Sequence, residues 1–120
     1  MAQEVGYRRL TVFQKGMEFV WLIYKITIEF PKYELFGLTS QLRRAVLSIP
    51  LNIAEGYVRD SRKDYARFLS IALGSAAEAD VLLDVAHRLA YCTKADYEIL
   101  KSLRDEIGKL LYVSRRNLLS

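Results

Sequence analysis

Few residues of this sequence combine the types and the spacing that catalysis needs. His87 is the only histidine, and Asp84 lies nearly one helical turn before it, so the two could form an acid–base pair. No serine sits in a nucleophile elbow, and no glycine-rich phosphate loop is present. Since nothing else in the sequence supports such a pair, we interpret His87 as a surface or half-buried side chain and predict a non-enzymatic protein.

Metal and disulfide chemistry is not indicated either. Cys92 is the only cysteine, which excludes an internal disulfide and a cysteine-based zinc site. No group of His, Cys and carboxylate residues has metal-ligand spacing, and the Glu-x-x-His motif of di-iron bundles is absent. We therefore expect no metal and no cofactor, and the sequence leaves the exposure of Cys92 open.

Positive charge is concentrated in the first half of the chain. The net charge is +4; residues 1–67 carry 11 Lys and Arg against 7 Asp and Glu, and residues 68–120 carry 7 of each. Lys and Arg bind phosphate groups largely without reading bases. The candidate nucleic-acid-binding residues are Arg8, Arg9, Lys15, Arg43, Arg44, Arg59, Arg62, Lys63 and Arg67.

Two features of this basic set allow another interpretation. Asp60 and Asp64 interleave with its last members, so ion pairs on a hydrated surface would explain the same pattern. Tyr57 and Tyr65 could stack on bases, but tyrosines at helical spacing commonly pack in the core. Whether the cations converge on one face is not determined by the sequence.

A polar stripe on the second predicted helix marks a second candidate surface. Four polar residues recur there at spacings of four, four and three, beside two leucines that lie outside the core stripe. This mixture predicts a subunit contact, and an ordinary solvated face is the alternative. The candidate interface residues are Arg44, Leu47, Ser48, Leu51, Asn52 and Glu55.

Four amphipathic helices must position these side chains, over residues 12–30, 39–57, 61–89 and 93–118, with the N-caps of the last two included. Thr11 and Gln14 have the spacing of a capping box, and Ser61 and Thr93 are predicted N-caps. Pro50 interrupts the second helix within a continuing periodicity, which predicts a kink and not a break.

The apolar periodicity predicts one buried stripe on each helix. The stripe of the first helix is Met17, Val20, Trp21, Tyr24 and Ile28. That of the second is Leu42, Val46, Ile49 and Ile53. The third and fourth helices would bury Phe68, Ala72, Ser75, Ala79, Leu82 and Ala86, and Leu100, Leu103, Ile107, Leu110 and Leu111.

Short connections between such helices place neighbours antiparallel. We therefore predict one all-α domain over residues 1–120, an up-and-down antiparallel four-helix bundle with its second helix kinked at Pro50. The sequence shows no signal peptide and no apolar run of bilayer length, so no membrane association and a cytoplasmic location are expected.

Several segments resemble one known family. The second helix reads Gln-Leu-Arg-Arg-Ala over residues 41–45, Ser-Ile-Pro over 48–50 and Asn-Ile-Ala-Glu-Gly over 52–56. Residues 12–15, 38–41 and positions of the third helix between Phe68 and Glu78 also match. This pattern resembles the four helix bundle protein family, encoded by intervening sequences of ribosomal RNA genes. Phe13 departs from the tryptophan found in many relatives, but it is also aromatic.

The resemblance implies a ring-shaped homopentamer of up-and-down bundles. It also extends to the accessory protein of diversity-generating retroelements, whose basic pentamer suits nucleic acid and a reverse transcriptase partner. From these implications we expect a homo-oligomeric module whose basic face binds RNA or another nucleic acid. The alternative is a protein-binding scaffold with no nucleic-acid role.

Overall fold

The computed structural model describes residues 6–120, which form four long helices and two short 3₁₀ turns. The helices are α1 (Thr11–Thr27), α2 (Leu38–Tyr57), α3 (Arg62–Arg88) and α4 (Lys94–Leu119). The 3₁₀ turns are Gly6–Arg9, before α1, and Lys32–Glu34, between α1 and α2. No strand occurs within residues 6–120, so the predicted all-α fold is confirmed.

Helices adjacent in the chain are also adjacent in space. Each helix packs against the next one, and α1 also packs against α4, whereas no Cα atoms of the diagonal pairs α1–α3 and α2–α4 come within 8 Å of each other. Antiparallel order follows from the pairs that meet: Gly56 at the end of α2 lies beside Tyr65 at the start of α3, and Arg62 at the start of α3 reaches Asn117 near the end of α4. The result is the predicted up-and-down four-helix bundle.

The helix starts confirm two predicted caps and correct a third. The Ser61 and Thr93 hydroxyls accept hydrogen bonds from the backbone N–H groups of Asp64 and Asp96, at 3.0 and 3.1 Å. The predicted capping box at Thr11 is wrong, because Leu10 is the N-cap and α1 has no side-chain cap. Gln14 donates instead to the Arg8 carbonyl at 2.9 Å, which ties the preceding 3₁₀ turn to the helix.

The core of α1 lies on a different face from the one predicted. Phe19 and Ile23 are fully buried, whereas Trp21 and Ile28 are 65% and 72% exposed. Tyr24 also lies at the surface, and of the predicted stripe only Val20 is buried in the core. In addition, α1 ends at Thr27 and not at residue 30, because residues 28 and 29 form a turn before Pro31.

The other three stripes agree more closely with the prediction. All four apolar residues predicted for α2 are fully buried, and the helix continues through Pro50 as expected; the kink itself stays a prediction. In α3 and α4, Ser75, Leu82, Leu103 and Leu110 are only partly buried. The additional core residues are Leu69, Ala76 and Leu83.

Two backbone sites depend on small or unusual residues. A Cβ atom at Gly56 would lie 2.8 Å from the Phe68 Cβ and 2.9 Å from the Tyr65 ring, so Gly56 lets α2 approach α3 closely. At the end of α3, Ala90 has φ of 60°. The Tyr91 N–H bonds the Ala86 carbonyl and the Ala90 N–H bonds the His87 carbonyl, which is a Schellman C-cap with alanine in place of the usual glycine.

The two connections at the far end of the bundle are tied together by Glu34. Its Oε2 accepts a hydrogen bond from the Tyr91 hydroxyl at 2.9 Å, and its Oε1 accepts one from the Leu38 N–H at 3.0 Å. Glu34 therefore supplies the first turn of α2 with the acceptor that its N-cap, Gly37, lacks. Hydrogen bonds to Tyr33 and Glu34, together with burial, raise the pKa of Tyr91.

Candidate nucleic-acid interface

The 3₁₀ turn at Gly6–Arg9, the end of α2, the start of α3 and the end of α4 meet at one end of the bundle. Ring contacts join the first two, because Tyr7 packs against Tyr57 with their centroids 6.3 Å apart. Arg62 joins α3 to α4. The cations gathered here, which we call the basic end, are Arg8, Arg9, Arg59, Arg62, Lys63, Arg67, Arg115 and Arg116.

Six of the nine predicted nucleic-acid-binding residues belong to this basic end. The sequence analysis missed Arg115 and Arg116, because they lie about 50 residues along the chain from the nearest of the other candidate cations, Arg67. Both lie in the last turns of α4, and Arg115 donates to the Ser70 hydroxyl at 3.3 Å. The predicted antiparallel order of the third and fourth helices places the end of α4 beside the start of α3, and this is the signal that connects these two arginines with the other cations.

Charge is strongly biased towards this end. Its eight cations are accompanied by three carboxylates, those of Glu55, Asp60 and Asp64, which gives an excess of five positive charges. The rest of residues 6–120 contains ten Lys and Arg and ten Asp and Glu. The net positive charge of the described residues therefore arises entirely from one end of the bundle.

Part of this charge is neutralised within the protomer. Arg59 pairs with Glu55 at 2.9 Å and approaches Asp64 at 3.9 Å, and Arg67 pairs with Asp64 at 3.0 Å. These side chains are at least one-third exposed, so the pairs contribute little to stability and remain open to exchange with other anions. The sequence-based alternative of surface ion pairs is thus present alongside the excess of cations.

Arg62 connects the start of α3 to the end of α4 through hydrogen bonds. Its Nη2 donates to the Asn117 carbonyl at 2.7 Å and its Nε donates to the Leu118 carbonyl at 3.2 Å. A cation placed on the free carbonyls of the last turn satisfies them and complements the negative end of the helix dipole. Arg62 therefore holds the end of α4 against the start of α3.

Aromatic rings underlie many of the remaining cations. The rings of Tyr7, Tyr57 and Tyr65 form a chain of edge contacts, with centroid separations of 6.3 and 6.1 Å. Arg9 donates to the Tyr57 hydroxyl at 3.4 Å, and this bond raises the pKa of Arg9. The arginines that lie over rings at the basic end are Arg8 on Tyr7, Arg59 and Arg67 on Phe68, and Arg115 and Arg116 on Tyr112.

Three predicted cations lie outside the basic end. Lys15 pairs with Glu106 of α4 at 2.7 Å, and its hydrogen bond to that carboxylate raises the pKa of Lys15. Arg43 donates to the Thr27 hydroxyl at 2.8 Å and covers the Tyr24 ring, far along α2 from the basic end. Arg44, beside it in α2, is exposed. The structure thus separates these three from the other six.

The predicted subunit surface divides into two groups. Leu47 and Leu51 are 38% and 58% exposed on the outside of α2, and Arg44 and Glu55 are exposed as well. Ser48 and Asn52 are half-buried and bond one another, and Ser48 also bonds Ser75 of α3. These two residues therefore stabilise the contact between α2 and α3 within the protomer.

Exposed apolar side chains also lie on the outside of α1, the helix next to α2. Arg43 of α2 reaches the Tyr24 ring of α1, which shows that the outer rows of the two helices border each other. We use the name apolar outer face for Trp21, Tyr24, Ile28, Leu47 and Leu51, all of which are at least 36% exposed. Trp21, Tyr24 and Ile28 are the residues that the sequence analysis had assigned to the core.

The acid–base pair considered for His87 and Asp84 does not form in the structure. His87 stacks on Tyr97 with centroids 4.1 Å apart, and Asp84 is engaged by Tyr97 and Lys101 and not by His87. Cys92 is half-buried, and burial raises its pKa. Within residues 6–120, no group of three or more His, Cys, Asp and Glu could hold a metal ion. None of the helices described there is both long and apolar enough to span a bilayer.

Comparison with known proteins agrees with this architecture. One solved structure, a protein of unknown function from the S23 ribosomal protein family of Bacteroides thetaiotaomicron, is 34% identical to this chain. The match covers 84% of this chain and 94% of that one, with a TM-score of 0.76. No curated protein matches significantly. The family model for the 23S rRNA-intervening sequence protein matches residues 8–113, and the chain therefore belongs to that family.

Proposed function

We propose that this protein is a non-catalytic, homo-oligomeric module that binds RNA through its basic end. The observation that carries the proposal is the placement of all the excess positive charge of the described residues at one end of the bundle. Such a concentration attracts a polyanion and contacts phosphates with little dependence on sequence. The family's description, which refers to 23S rRNA, favours RNA among the polyanions. This role also implies the cytoplasm.

Assembly is the second part of the proposal. The apolar outer face exposes an indole ring, a phenol ring and three aliphatic side chains on α1, the turn that follows it and α2. Exposed apolar surface of this kind is typical of protein–protein contacts. We propose that copies of the chain cover it, with five copies as the family resemblance implies. Several basic ends in one ring can bind the same RNA at once, so that weak binding at each end gives a high overall affinity.

A specific observation also supports the scaffold alternative. Phe36 and Tyr33 are 94% and 80% exposed at the end opposite the basic one, beside Leu35 and Leu89. Apolar side chains of this kind could bind a protein partner without any role for the cations. This second function predicts no binding to RNA, so one experiment separates the two.

The test is fluorescence anisotropy with a labelled RNA of mixed sequence, measured as the salt concentration is raised. If phosphates are contacted, affinity falls steeply between about 50 and 200 mM salt, with log K linear in log salt. Lys63→Gln with Arg116→Gln should weaken binding and lower the slope by roughly two, one for each lost phosphate contact. Lys63 is exposed and neither side chain has an ion pair among the described residues, so the fold should be unaffected.

A matched control removes one lysine and one arginine from the opposite end. Lys94→Gln with Arg88→Gln makes the same change in net charge but lies at the connection between α3 and α4. We expect this control to bind RNA almost as the wild type does. Equal losses in both double variants would show a general charge effect. No binding at the lowest salt concentration would leave the scaffold function in place of RNA binding.

A further inference from the structure

We infer that the basic end takes single-stranded RNA and binds it by stacking unpaired bases on ring-supported arginines. This inference rests on the proposed function and specifies its ligand class. Three observations carry it: most of these cations are arginines, aromatic rings support several of their guanidinium groups, and carboxylates lie among them.

The type of cation is the first observation. Seven of the eight cations at the basic end are arginine, and Lys63 is the only lysine. A lysine ammonium serves as a point charge for phosphate, whereas a guanidinium is planar and can also stack. Elsewhere in the sequence lysine and arginine are nearly balanced, with six Lys and four Arg. The composition of the basic end therefore favours planar groups beyond what charge alone requires.

The support of these planes is the second observation. The guanidinium carbons of Arg59 and Arg67 lie 4.7 and 4.5 Å from the centroid of the same ring, that of Phe68. Phe68 is itself buried, so its ring is a fixed support under both arginine side chains. The side chains remain 40% and 60% exposed, which leaves guanidinium surface open to solvent. A nucleobase can stack on that open face without displacing the ring beneath it.

The same arrangement recurs at the end of α4. Arg115 and Arg116 lie 5.6 and 6.0 Å from the Tyr112 ring, which is itself 52% exposed. Between this site and the one at Phe68, Ser70 of α3 accepts a hydrogen bond from Arg115. An open and mainly apolar groove, lined by Lys63, Asp64, Arg67, Ser70 and Leu119 among others, runs along the start of α3 there. Stacking platforms combined with cations along a groove are typical of proteins that bind single strands.

The carboxylates supply the third observation. Asp60 lies in the turn between α2 and α3, is exposed, and has no ion pair among residues 6–120. An RNA duplex presents two regular rows of phosphates and uses the Watson–Crick edges of its bases for pairing, so a carboxylate among the cations opposes its binding. A flexible single strand can place phosphates on arginines and turn the amino groups of unpaired bases towards carboxylates. The mixed charge of the basic end therefore suits unpaired RNA better than a helix.

The test compares two probes of the same sequence, a single strand of about 12 nucleotides and its duplex, by anisotropy at matched salt. We expect the wild type to bind the single strand at least about tenfold more tightly, because a stacked base contributes roughly five- to 150-fold in affinity. Arg67→Lys with Arg116→Lys keeps the charge and removes two stacking planes. This variant should lose single-strand affinity by about fivefold or more, with its salt slope unchanged.

The control is Arg88→Lys, which changes an exposed arginine at the end of α3, away from the basic end and outside both candidate surfaces. It should bind both probes as the wild type does, and circular dichroism should show equal helicity for all three proteins. Equal wild-type affinity for strand and duplex, or full single-strand affinity in the Arg67/Arg116 variant, would overturn this inference and leave RNA binding intact. If neither probe binds, the proposed function fails and the inference fails with it.

Discussion

Two helical glycines of the bundle should respond in opposite ways to the same substitution. A methyl group at Gly56 would lie within 2.9 Å of Phe68 and Tyr65, whereas one at Gly74 would meet nothing within 4 Å. Gly56→Ala should therefore lower the free energy of unfolding by about 1–3 kcal/mol, because α2 and α3 would be forced apart. Gly74→Ala should raise it by up to about 1 kcal/mol, since alanine is the better helix former. Urea titrations of the two variants check both signs.

Ala90 offers a stabilising change at the end of α3. Its φ of 60° is a left-handed conformation, which costs an alanine roughly 1–2 kcal/mol and costs a glycine almost nothing. Ala90→Gly should raise the free energy of unfolding by about 0.5–1 kcal/mol, after allowance for the greater freedom of glycine in the unfolded chain. Ala77→Gly, on the exposed side of α3, is the control and should destabilise by about 1 kcal/mol. A midpoint that falls for Ala90→Gly would contradict the Schellman geometry.

The contact between α3 and α4 carries a pH-dependent contribution at Asp84. Its Oδ1 accepts hydrogen bonds from Lys101 at 2.7 Å and Tyr97 at 2.6 Å, and these lower the pKa of Asp84. On the other side, burial opposes the charge of Lys101, but hydrogen bonds to Asp80 and Asp84 outweigh it and raise the pKa of Lys101. The two shifts have one cause, namely ion pairing across these helices.

A lowered carboxyl pKa stabilises the folded state above the unfolded-state pKa of about 3.9, and the stabilisation disappears as pH falls through the folded-state value. Asp84→Asn should therefore cost less than about 1 kcal/mol at neutral pH, because the side chain is half-exposed, and nearly nothing near pH 2. Thermal midpoints measured against pH would show this convergence with the wild type. Asp60→Asn, which removes no ion pair among the described residues, should give no such convergence; the same pH dependence there would refute the assignment.

The helices also show why some elements could be predicted from the sequence and others could not. In α2, one face of the helix is wholly apolar, and the opposite face carries both polar residues and leucines. Leu42 and Ile49 were therefore predicted correctly to lie in the core. In α1, apolar residues lie on two faces, and periodicity cannot tell which face packs inward. The spacing of Met17, Trp21, Tyr24 and Ile28 predicted one of these faces, whereas Phe19 and Ile23 on the other face are the buried residues.

The basic end was only partly predictable for a related reason. Arg59, Arg62 and Arg67 are close in the chain, so local sequence already groups them. Arg8 joins this group through the antiparallel order of the bundle, and Arg116 joins it only because α4 ends beside the start of α3. The spacing of residues within one segment does not show which distant segments lie next to each other in the fold. Those contacts depend on the order and direction of the helices.

For the whole molecule, the apolar outer face predicts a change in mass on mutation. Leu47→Asp with Leu51→Asp places two charges where a partner copy would have to bury them, which is costly without a counter-ion. Light scattering should then show the mass of one protomer, with helicity retained because both side chains are at least one-third exposed in the bundle. Ile99→Asp, exposed on α4 away from this face, is the control and should leave the mass unchanged. An unchanged mass for the Leu47/Leu51 variant would exclude this face as the site of assembly.

Trp21 gives the protein an intrinsic spectroscopic probe of that surface. It is the only tryptophan in the sequence, and its indole lies 65% exposed on α1 while the helix around it stays folded. Indole emission shifts to shorter wavelength when water is removed from the ring. The wavelength of the fluorescence maximum therefore reports whether this surface is exposed to solvent or covered by another copy. A dilution series read at that single wavelength maximum would follow covering and uncovering without any added dye.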